Sequence, residues 1–317
     1  MCYGFDGDQA MQASLTQRGI SRRGVLMGLL GASAAAFTLG GGAAPAVADV
    51  ATKPWKRVPP GKISLQLWTV REGLGAPWGP GDYDTTLRAI ADLGYPKVEQ
   101  ALGYFGRTAA ELRAFYDSIG IRATSSHDGV SGDDAALAVK LENAATLGQK
   151  YLNVPYFASN SLSDWQALAD RMNVEAQAAT SYGIAYGYHN HAHEFTTDLG
   201  GGVTPWEVLT ERLDPALVHL EIDLYWAVTG GVNTGAADPV QFAIDTIHKA
   251  PQRVRQFHVK DRHVGGDMAD LGTGTIAFDR IFRAHAVEEY IVENDTPDVT
   301  LLQTAEVGYD YLRSLRF

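Results

Sequence analysis

Short apolar runs alternate with helical patterns along most of the chain. Within the helical segments, apolar residues recur at a spacing of three and four, as at Leu87 and Ile90, and glycines such as Gly94 and Gly120 mark where helices end. Eight runs between them predict strands: Ile63–Trp68, Lys97–Ala101, Ile121–Ser126, Tyr151–Val154, Ile184–Tyr188, Val218–Ile222, Val254–Val259 and Tyr290–Val292. This alternation predicts an α/β protein with parallel strands and right-handed crossovers.

A closed (β/α)8 TIM barrel is the simplest architecture for eight such units, and it would span residues 62–317 as a single domain. The alternative is an open, doubly wound sheet that binds a dinucleotide. That fold calls for a Gly-x-Gly-x-x-Gly turn after the first strand, whereas the first strand here leads into Arg71 and Glu72. The sequence therefore favours the barrel.

The first 48 residues have the order of a secretory signal peptide. Arg22 and Arg23 precede an apolar stretch rich in alanine and glycine, and Ala46-Val47-Ala48 supplies small residues for cleavage. The paired arginines resemble a twin-arginine signal. An uncleaved anchor is the alternative, but the apolar run is shorter than the roughly 20 residues that a spanning helix needs. We therefore predict a signal peptide over 1–48, an extended lead over 49–61, and an exported protein, periplasmic or secreted, without a membrane span after cleavage.

Composition and charge narrow the range of partners and metal ligands. The formal net charge of -11 and the pI near 5.2 disfavour nucleic acid as a partner. The single cysteine, Cys2, lies in the predicted signal peptide, so the body of the protein has no thiol to offer a metal or a substrate. Any metal ion must be held by nitrogen and oxygen.

Polar residues stand where the predicted strands end, and this is the side of a barrel on which TIM-barrel enzymes carry their chemistry. The residues at these positions are Gln66, Glu99, His127, His189–Glu194, Asp223, His258 and Glu293. A purely structural role predicts apolar or small residues there. Carboxylates and imidazoles that converge from separate strands repel one another or bind a divalent cation, and a cation is the usual outcome.

Five short motifs at these strand ends carry a family resemblance. They are Tyr188–Phe195, Glu221–Trp226, Phe257–Asp261, Gly272–Gly274 and Val292–Asp295. Together they resemble the sugar phosphate isomerase/epimerase family with the xylose-isomerase-like barrel, and more closely its branch with inosose dehydratase and enzymes of 3-keto-sugars. The resemblance implies one divalent metal ion held by Glu194, Asp223, His258 and Glu293. It departs from the ketose 3-epimerases at His189, where those enzymes have a glutamate ligand.

The roles of individual residues remain open at this point. His189 is a metal ligand, a substrate contact or a structural histidine. Glu99 contacts substrate or pairs with Arg107, and Lys260 contacts substrate or forms a salt bridge with Asp261 or another carboxylate. Substrate contacts are expected from Gln66, Glu99, His127, His191, Trp226 and Lys260.

Such a site favours Mn²⁺ or Mg²⁺, and Co²⁺, Fe²⁺ or Zn²⁺ are also compatible. The expected chemistry removes a proton beside a sugar carbonyl to give an enediolate, with Glu194 and Glu293 as acid and base and His189 as the alternative base. Isomerisation, epimerisation and elimination of a β-substituent all remain open, and homo-oligomers are compatible with the sequence.

Export and the lack of a glycine-rich phosphate cradle favour a non-phosphorylated sugar, keto-sugar or glycoside. A non-catalytic exported sugar-binding protein is a competing hypothesis, but it would need no such charged arrangement. An abasic-site endonuclease on the same barrel is disfavoured by the acidic charge.

Overall fold

A closed barrel of eight parallel strands forms the centre of the protein. The structure, a computed structural model, describes residues 55–74 and 82–317, so the predicted signal peptide lies outside the described residues. The barrel strands are β1 (Ile63–Gln66), β2 (Lys97–Gln100), β3 (Arg122–His127), β4 (Tyr151–Val154), β5 (Ala185–His189), β6 (Val218–Asp223), β7 (Val254–Val259) and β10 (Glu289–Val292). Their order around the barrel is β1-β10-β7-β6-β5-β4-β3-β2. All eight predicted strands are confirmed, with ends displaced by at most two residues.

Helices follow the strands and surround the barrel. They are α1 (Tyr83–Asp92), α2 (Ala109–Ile119), α3 (Asp134–Leu147), α4 (Leu162–Ala179), α5 (His193–Thr196), α6 (Pro205–Arg212), α7 (Leu224–Asn233), α8 (Pro239–Lys249), α9 (Phe278–Ala284) and α10 (Leu301–Ser314). Local sequence explains their ends. Thr108 and Glu111 form a capping box at the start of α2, and Gly120, with φ of 77°, ends that helix in the left-handed conformation. No helix in the described ranges is long and apolar enough to cross a membrane.

The main hydrophobic core lies between the strands and the helices, while the inside of the barrel is polar. Alternate strand residues such as Leu220 and Ile222 are buried in the apolar core. Inside the barrel, Asn153 on β4 donates from Nδ2 to Gln256 Oε1 on β7 at 3.0 Å, across the interior. TIM barrels usually fill this space with branched aliphatic side chains. Here a hydrogen-bonded network supports the strand ends.

Gly187 on β5 shows how tightly this polar interior is packed. A Cβ atom at this position would lie 2.6 Å from the ring of His219 and would also clash with Asn153 Oδ1. Only glycine therefore fits between these two side chains without displacing them.

A small hairpin follows β7 and lies beside the strand ends. It pairs β8 (Asp261–Arg262) with β9 (Met268–Ala269) in antiparallel fashion. The Asp261 carboxylate accepts hydrogen bonds from the backbone amides of Gly272, Gly274 and Ile276, at 3.0, 3.0 and 3.1 Å. Asp261 therefore anchors the chain that follows the hairpin.

Candidate active site

Four buried side chains from four separate strands meet at the carboxyl end of the barrel. Asp223, His258 and Glu293 each present a ligand atom, and these atoms all lie within 4.8 Å of one another. His258 Nδ1 lies 2.6 Å from Glu293 Oε2, and His189 Nε2 lies 3.8 Å from Asp223 Oδ2. The structure thus brings together three of the sequence-predicted metal ligands, with His189 beside them.

Asp223 is held in place by its position at the junction of β6 and α7. Its Oδ1 atom caps α7 by accepting a hydrogen bond from the Trp226 amide at 2.9 Å. Its Oδ2 atom is buried and accepts no well-aligned hydrogen bond among the described residues, and the Lys260 ammonium lies 3.1 Å from it. Burying a carboxylate is costly, and a nearby cation offsets this cost.

Glu194 lies apart from this group. It sits in the short helix α5, where its carboxylate accepts from the Tyr188 hydroxyl and from the His191 backbone amide, each at 2.8 Å. Among the described residues, neither of the two groups with metal-binding geometry includes Glu194. Its role as a ligand stays a prediction, and His189 occupies the strand-end position instead.

The ammonium group of Lys260 lies among three carboxylates. Its Nζ atom is 2.7 Å from Glu293 Oε2, 3.1 Å from Asp223 Oδ2 and 3.2 Å from Asp295 Oδ2. The expected salt bridge with a nearby carboxylate is therefore confirmed, but Asp261 is not the partner. Lys260 supplies one positive charge between two of the candidate ligands.

A second tier of carboxylates lies beneath the histidines. Glu221 Oε1 is 2.7 Å from His127 Nε2 and 3.2 Å from His189 Nδ1. Glu99 Oε2 is 2.6 Å from His258 Nε2. The alternative pairing of Glu99 with Arg107 is wrong, because Arg107 binds Asp84 at 2.6 Å.

Glu221 is a site residue that the strand-end criterion missed. A signal for it exists in the sequence, since His219, Glu221 and Asp223 alternate with apolar residues along β6 and so share one face of the strand.

Burial and neighbouring charges shift the pKa values of these groups in opposite directions. Burial raises the pKa of Asp223 to about 6, although Lys260 opposes the shift. Burial, reinforced by nearby His258, lowers the pKa of His189 to about 3. Burial would raise the pKa of Glu293, but Lys260 and His258 outweigh it and hold that pKa well below its usual value. The site at neutral pH therefore has a neutral His189 beside an ionised Glu293.

Burial disfavours the charged form of His258, but the carboxylates of Glu221, Glu99 and Glu293 outweigh this effect and hold its pKa well above the usual value. Without an added cation, His258 is thus an imidazolium between carboxylates.

His191 and Trp226 form a polar and aromatic edge next to the cluster. Their rings lie 5.3 Å apart, and the His191 ring is 5.1 Å from that of His189. His191 Nδ1 and Trp226 Nε1 are buried and lack hydrogen-bond partners within the described residues. Burial, with a contribution from His189, lowers the pKa of His191 well below its usual value, so its imidazole is neutral. These two nitrogens can bind the hydroxyl groups of a neutral ligand.

The donor set fits a divalent cation. His189 Nδ1 faces the Glu221 carboxylate and so carries the ring proton, which leaves a lone pair on Nε2, the nitrogen nearer Asp223 Oδ2. A lone pair near a buried carboxylate oxygen is an arrangement that a cation between them would complete. The nitrogen and oxygen donors are those that Mn²⁺ and related ions accept.

Comparison with known proteins agrees with this fold. Residues 87–291 match the family described as Xylose isomerase-like TIM barrel. The chain belongs to this family. The xylose-isomerase-like chain is 28% identical over 216 residues to inosose dehydratase of Geobacillus kaustophilus (strain HTA426), a match over 58% of this chain and 65% of that protein. The aligned part thus spans slightly less than two thirds of the curated relative.

Solved structures of the same architecture include sugar epimerases. A sugar phosphate isomerase/epimerase from Parabacteroides distasonis ATCC 8503 superposes with a TM-score of 0.64 at 26% identity, over 80% of this chain and 99% of that one. A D-psicose 3-epimerase solved in the presence of D-fructose superposes with a TM-score of 0.54 at 15% identity, over 79% of this chain and 96% of that one. The resemblance drawn from the sequence is confirmed, and the protein is a member of an enzyme superfamily of isomerases, epimerases and dehydratases.

Proposed function

We propose that this protein is a divalent-metal-dependent sugar isomerase or epimerase that acts on a non-phosphorylated sugar or keto-sugar through an enediolate. The observation that carries the proposal is the meeting of His189, Asp223, His258 and Glu293 at the strand ends, with the buried Asp223 Oδ2 atom near both His189 Nε2 and the Lys260 ammonium. A non-catalytic sugar-binding protein is disfavoured, because burying several charges is costly and binding a neutral sugar does not need them.

The residues that would hold the ion are Asp223, His258 and Glu293, with His189 as the fourth. His189 is preferred to Glu194, because its Nε2 atom lies 3.8 Å from Asp223 Oδ2, whereas the Glu194 carboxylate is bound by Tyr188 and His191. When bound, the cation supplies Lewis-acid stabilisation of the negative charge that develops on sugar oxygens. Mn²⁺ or Mg²⁺ are the proposed ions, and two imidazole donors also suit Co²⁺, Fe²⁺ or Zn²⁺.

Proton transfer in this proposal begins at Glu293. Its low pKa keeps the carboxylate ionised near neutral pH, which a base that takes a proton from carbon requires. Glu194 is the second acid/base candidate and His189 the alternative base. His191 and Trp226 orient the sugar through its hydroxyl groups, since the buried nitrogens His191 Nδ1 and Trp226 Nε1 have no hydrogen-bond partner in the described part of the chain and border the cluster.

Elimination is the second candidate reaction, and the similarity to inosose dehydratase favours it. Removal of the same proton is followed by loss of a β-substituent instead of proton return. A lyase acting on a keto-sugar or 3-keto-glycoside would use the same residues.

The positively charged side chains at these strand ends already have protein partners, which supports a neutral substrate over a sugar phosphate. Lys260 is bound by its three carboxylates, and Arg71 donates to the backbone carbonyl oxygens of Trp68 and Asp295 at 3.0 and 2.8 Å. A phosphate group would have to compete with these acceptors for either cation.

The decisive experiment incubates metal-loaded protein with ketoses and 3-keto-glycosides in D₂O and follows them by NMR. We expect solvent deuterium at the carbon beside the carbonyl of the sugar that reacts. Release of a β-substituent would identify the lyase, and a new sugar stereocentre or carbonyl position would identify the epimerase or isomerase. Turnover without deuterium incorporation would point to hydride transfer and contradict the enediolate.

We further propose that the protein is exported after cleavage near Ala48, on the basis of Arg22-Arg23 and Ala46-Val47-Ala48. Mass spectrometry of protein from its native host is expected to find a mature chain that begins near Asp49. Full-length protein that begins at Met1 and stays in the cytosol would contradict export.

A further inference from the structure

Glu221 is a buried carboxylate on which the imidazoles of three histidines converge. Its Oε1 atom is 2.7 Å from His127 Nε2, 3.2 Å from His189 Nδ1 and 3.2 Å from His258 Nε2. Its other oxygen, Oε2, accepts from Asn153 Nδ2 at 2.8 Å. Two of these histidines are proposed metal ligands, and each turns its other nitrogen toward the candidate metal site.

A chain of hydrogen bonds that starts at the backbone determines which nitrogen of each histidine carries the ring proton. Gln66 Oε1 accepts from the Trp68 amide at 3.0 Å, so its Nε2 is the donor end and lies 3.3 Å from His127 Nδ1. His127 Nδ1 must then be an acceptor, and the ring proton sits on Nε2, facing Glu221. His189 Nδ1 also faces this carboxylate, which accepts hydrogen bonds and cannot donate one while it is ionised.

We propose that Glu221 is a positioning residue for the metal site. It holds the proton of His189 on Nδ1 and so keeps the Nε2 lone pair available near Asp223. Glu99 holds the Nε2 proton of His258, since that nitrogen lies 2.6 Å from Glu99 Oε2. The Nδ1 proton of the imidazolium, which faces Glu293 Oε2 at 2.6 Å, is the one that an ion would have to displace. Carboxylates that hold the outer nitrogen of a metal-binding histidine fix its tautomer and ring orientation. This inference rests on the proposed function, because it assumes a divalent ion above the histidines.

A second ion bound by the lower group is the competing explanation. His127, His189, Glu221 and His258 also have ligand atoms within 4.8 Å of one another. An ion there would need lone pairs on the nitrogens that face Glu221. The hydrogen bond from Gln66 places a proton on His127 Nε2 instead, so the geometry favours hydrogen bonds to Glu221 over metal bonds.

The substitution Glu221→Gln tests the proposal, since the surroundings dictate how a glutamine would lie. Asn153 Nδ2 donates to this side chain, so the amide oxygen is expected to face Asn153 and the amide nitrogen to face the histidines. A donor at that position forces His189 Nδ1 to accept and moves the ring proton to Nε2. The nitrogen that should bind the ion is then blocked.

We expect Glu221→Gln to weaken Mn²⁺ binding about 10- to 100-fold, the usual range for loss of such a partner, while wild type binds one ion per chain. Isothermal titration calorimetry with Mn²⁺ measures affinity and stoichiometry. Glu289→Gln is the matched control, because Glu289 is also buried inside the barrel but binds Thr124 and Gln256 rather than a histidine. It should leave the Mn²⁺ affinity unchanged.

The outcomes separate the two proposals. Absence of Mn²⁺ binding in wild type overturns the proposed metal-dependent function. One ion per chain with unchanged affinity in a folded Glu221→Gln variant overturns only the role of Glu221. Two ions per chain in wild type also overturn that role, because Glu221 would then be a ligand.

A measurement on wild type covers the case in which Glu221→Gln fails to fold. Long-range ¹H–¹⁵N correlation spectra of the metal-free protein report which nitrogen of each imidazole carries a proton. We expect His189 protonated on Nδ1 and His127 protonated on Nε2. A proton on Nε2 of His189 would contradict the proposal whatever the behaviour of the variant.

Discussion

Replacing Glu293 with glutamine is expected to reduce turnover by about 10²- to 10⁴-fold, the usual effect of losing a general acid or base. Glu293 directly follows β10, and its carboxylate is buried. The carboxylate lies 2.6 Å from His258 Nδ1 and 2.7 Å from Lys260 Nζ. Glutamine keeps the size of the side chain but cannot take a proton from carbon. Because Glu293 is also a proposed metal ligand, kcat should be measured at saturating Mn²⁺, with bound metal determined on the same samples.

Glu289→Gln is the matched control for this prediction, since Glu289 begins the strand whose end leads to Glu293. It should retain turnover. Deuterium exchange into the substrate gives a second reading, because exchange should fall together with kcat. A Glu293→Gln variant that exchanges and turns over at the wild-type rate would show that the base is another residue, with His189 and Glu194 the next to be tested.

Replacing Asp223 with asparagine is expected to abolish stoichiometric metal binding while the fold is retained. Asparagine is as good a helix N-cap as aspartate, so the hydrogen bond from the Trp226 amide can be kept. The variant loses the negative charge that Oδ2 presents to the site. Elemental analysis after dialysis against Mn²⁺ measures the bound ion, and circular dichroism checks the fold.

The control is Asp238→Asn, which changes the N-cap of the next helix, α8, where the carboxylate accepts from the Gln241 amide. It reproduces the chemical change away from the strand ends and should leave the metal content at the wild-type level. Full metal occupancy in Asp223→Asn would remove Asp223 from the ligand set and count strongly against the proposed site.

The barrel and three of the converging residues could be predicted because the signals for them are local. Apolar runs fix where strands end, and parallel strands in a barrel deliver their last residues to one face. Asp223, His258 and Glu293 follow directly from this rule. Glu194 does not, because it lies five residues beyond the end of β5. The position of its carboxylate depends on the short helix α5 and on a hydrogen bond from Tyr188. The spacing of apolar residues predicts neither of these.

Glu221 shows a different limit of sequence reasoning. Counting the last residue of each strand ignores residues two positions earlier, which face the same interior. Whether such a residue fills space or holds a histidine depends on side chains from distant strands. The ion-pair partners of Lys260 likewise depend on distant strands, since Asp223 ends β6 while Glu293 and Asp295 follow β10.

The Lys260 ammonium also bears on how the protein would acquire the proposed ion. Some small metal proteins cannot fold until the ion arrives, because its binding supplies much of their folding free energy. Here a cation built into the chain already lies between Asp223 and Glu293, and it offsets the repulsion between these two carboxylates without a metal ion. An ion held by Asp223 and Glu293 would compete with this ammonium for the same two carboxylates, and Asp295, the third and more exposed partner, would remain to hold Lys260. The net affinity for such an ion would then be the difference between two sets of ionic contacts.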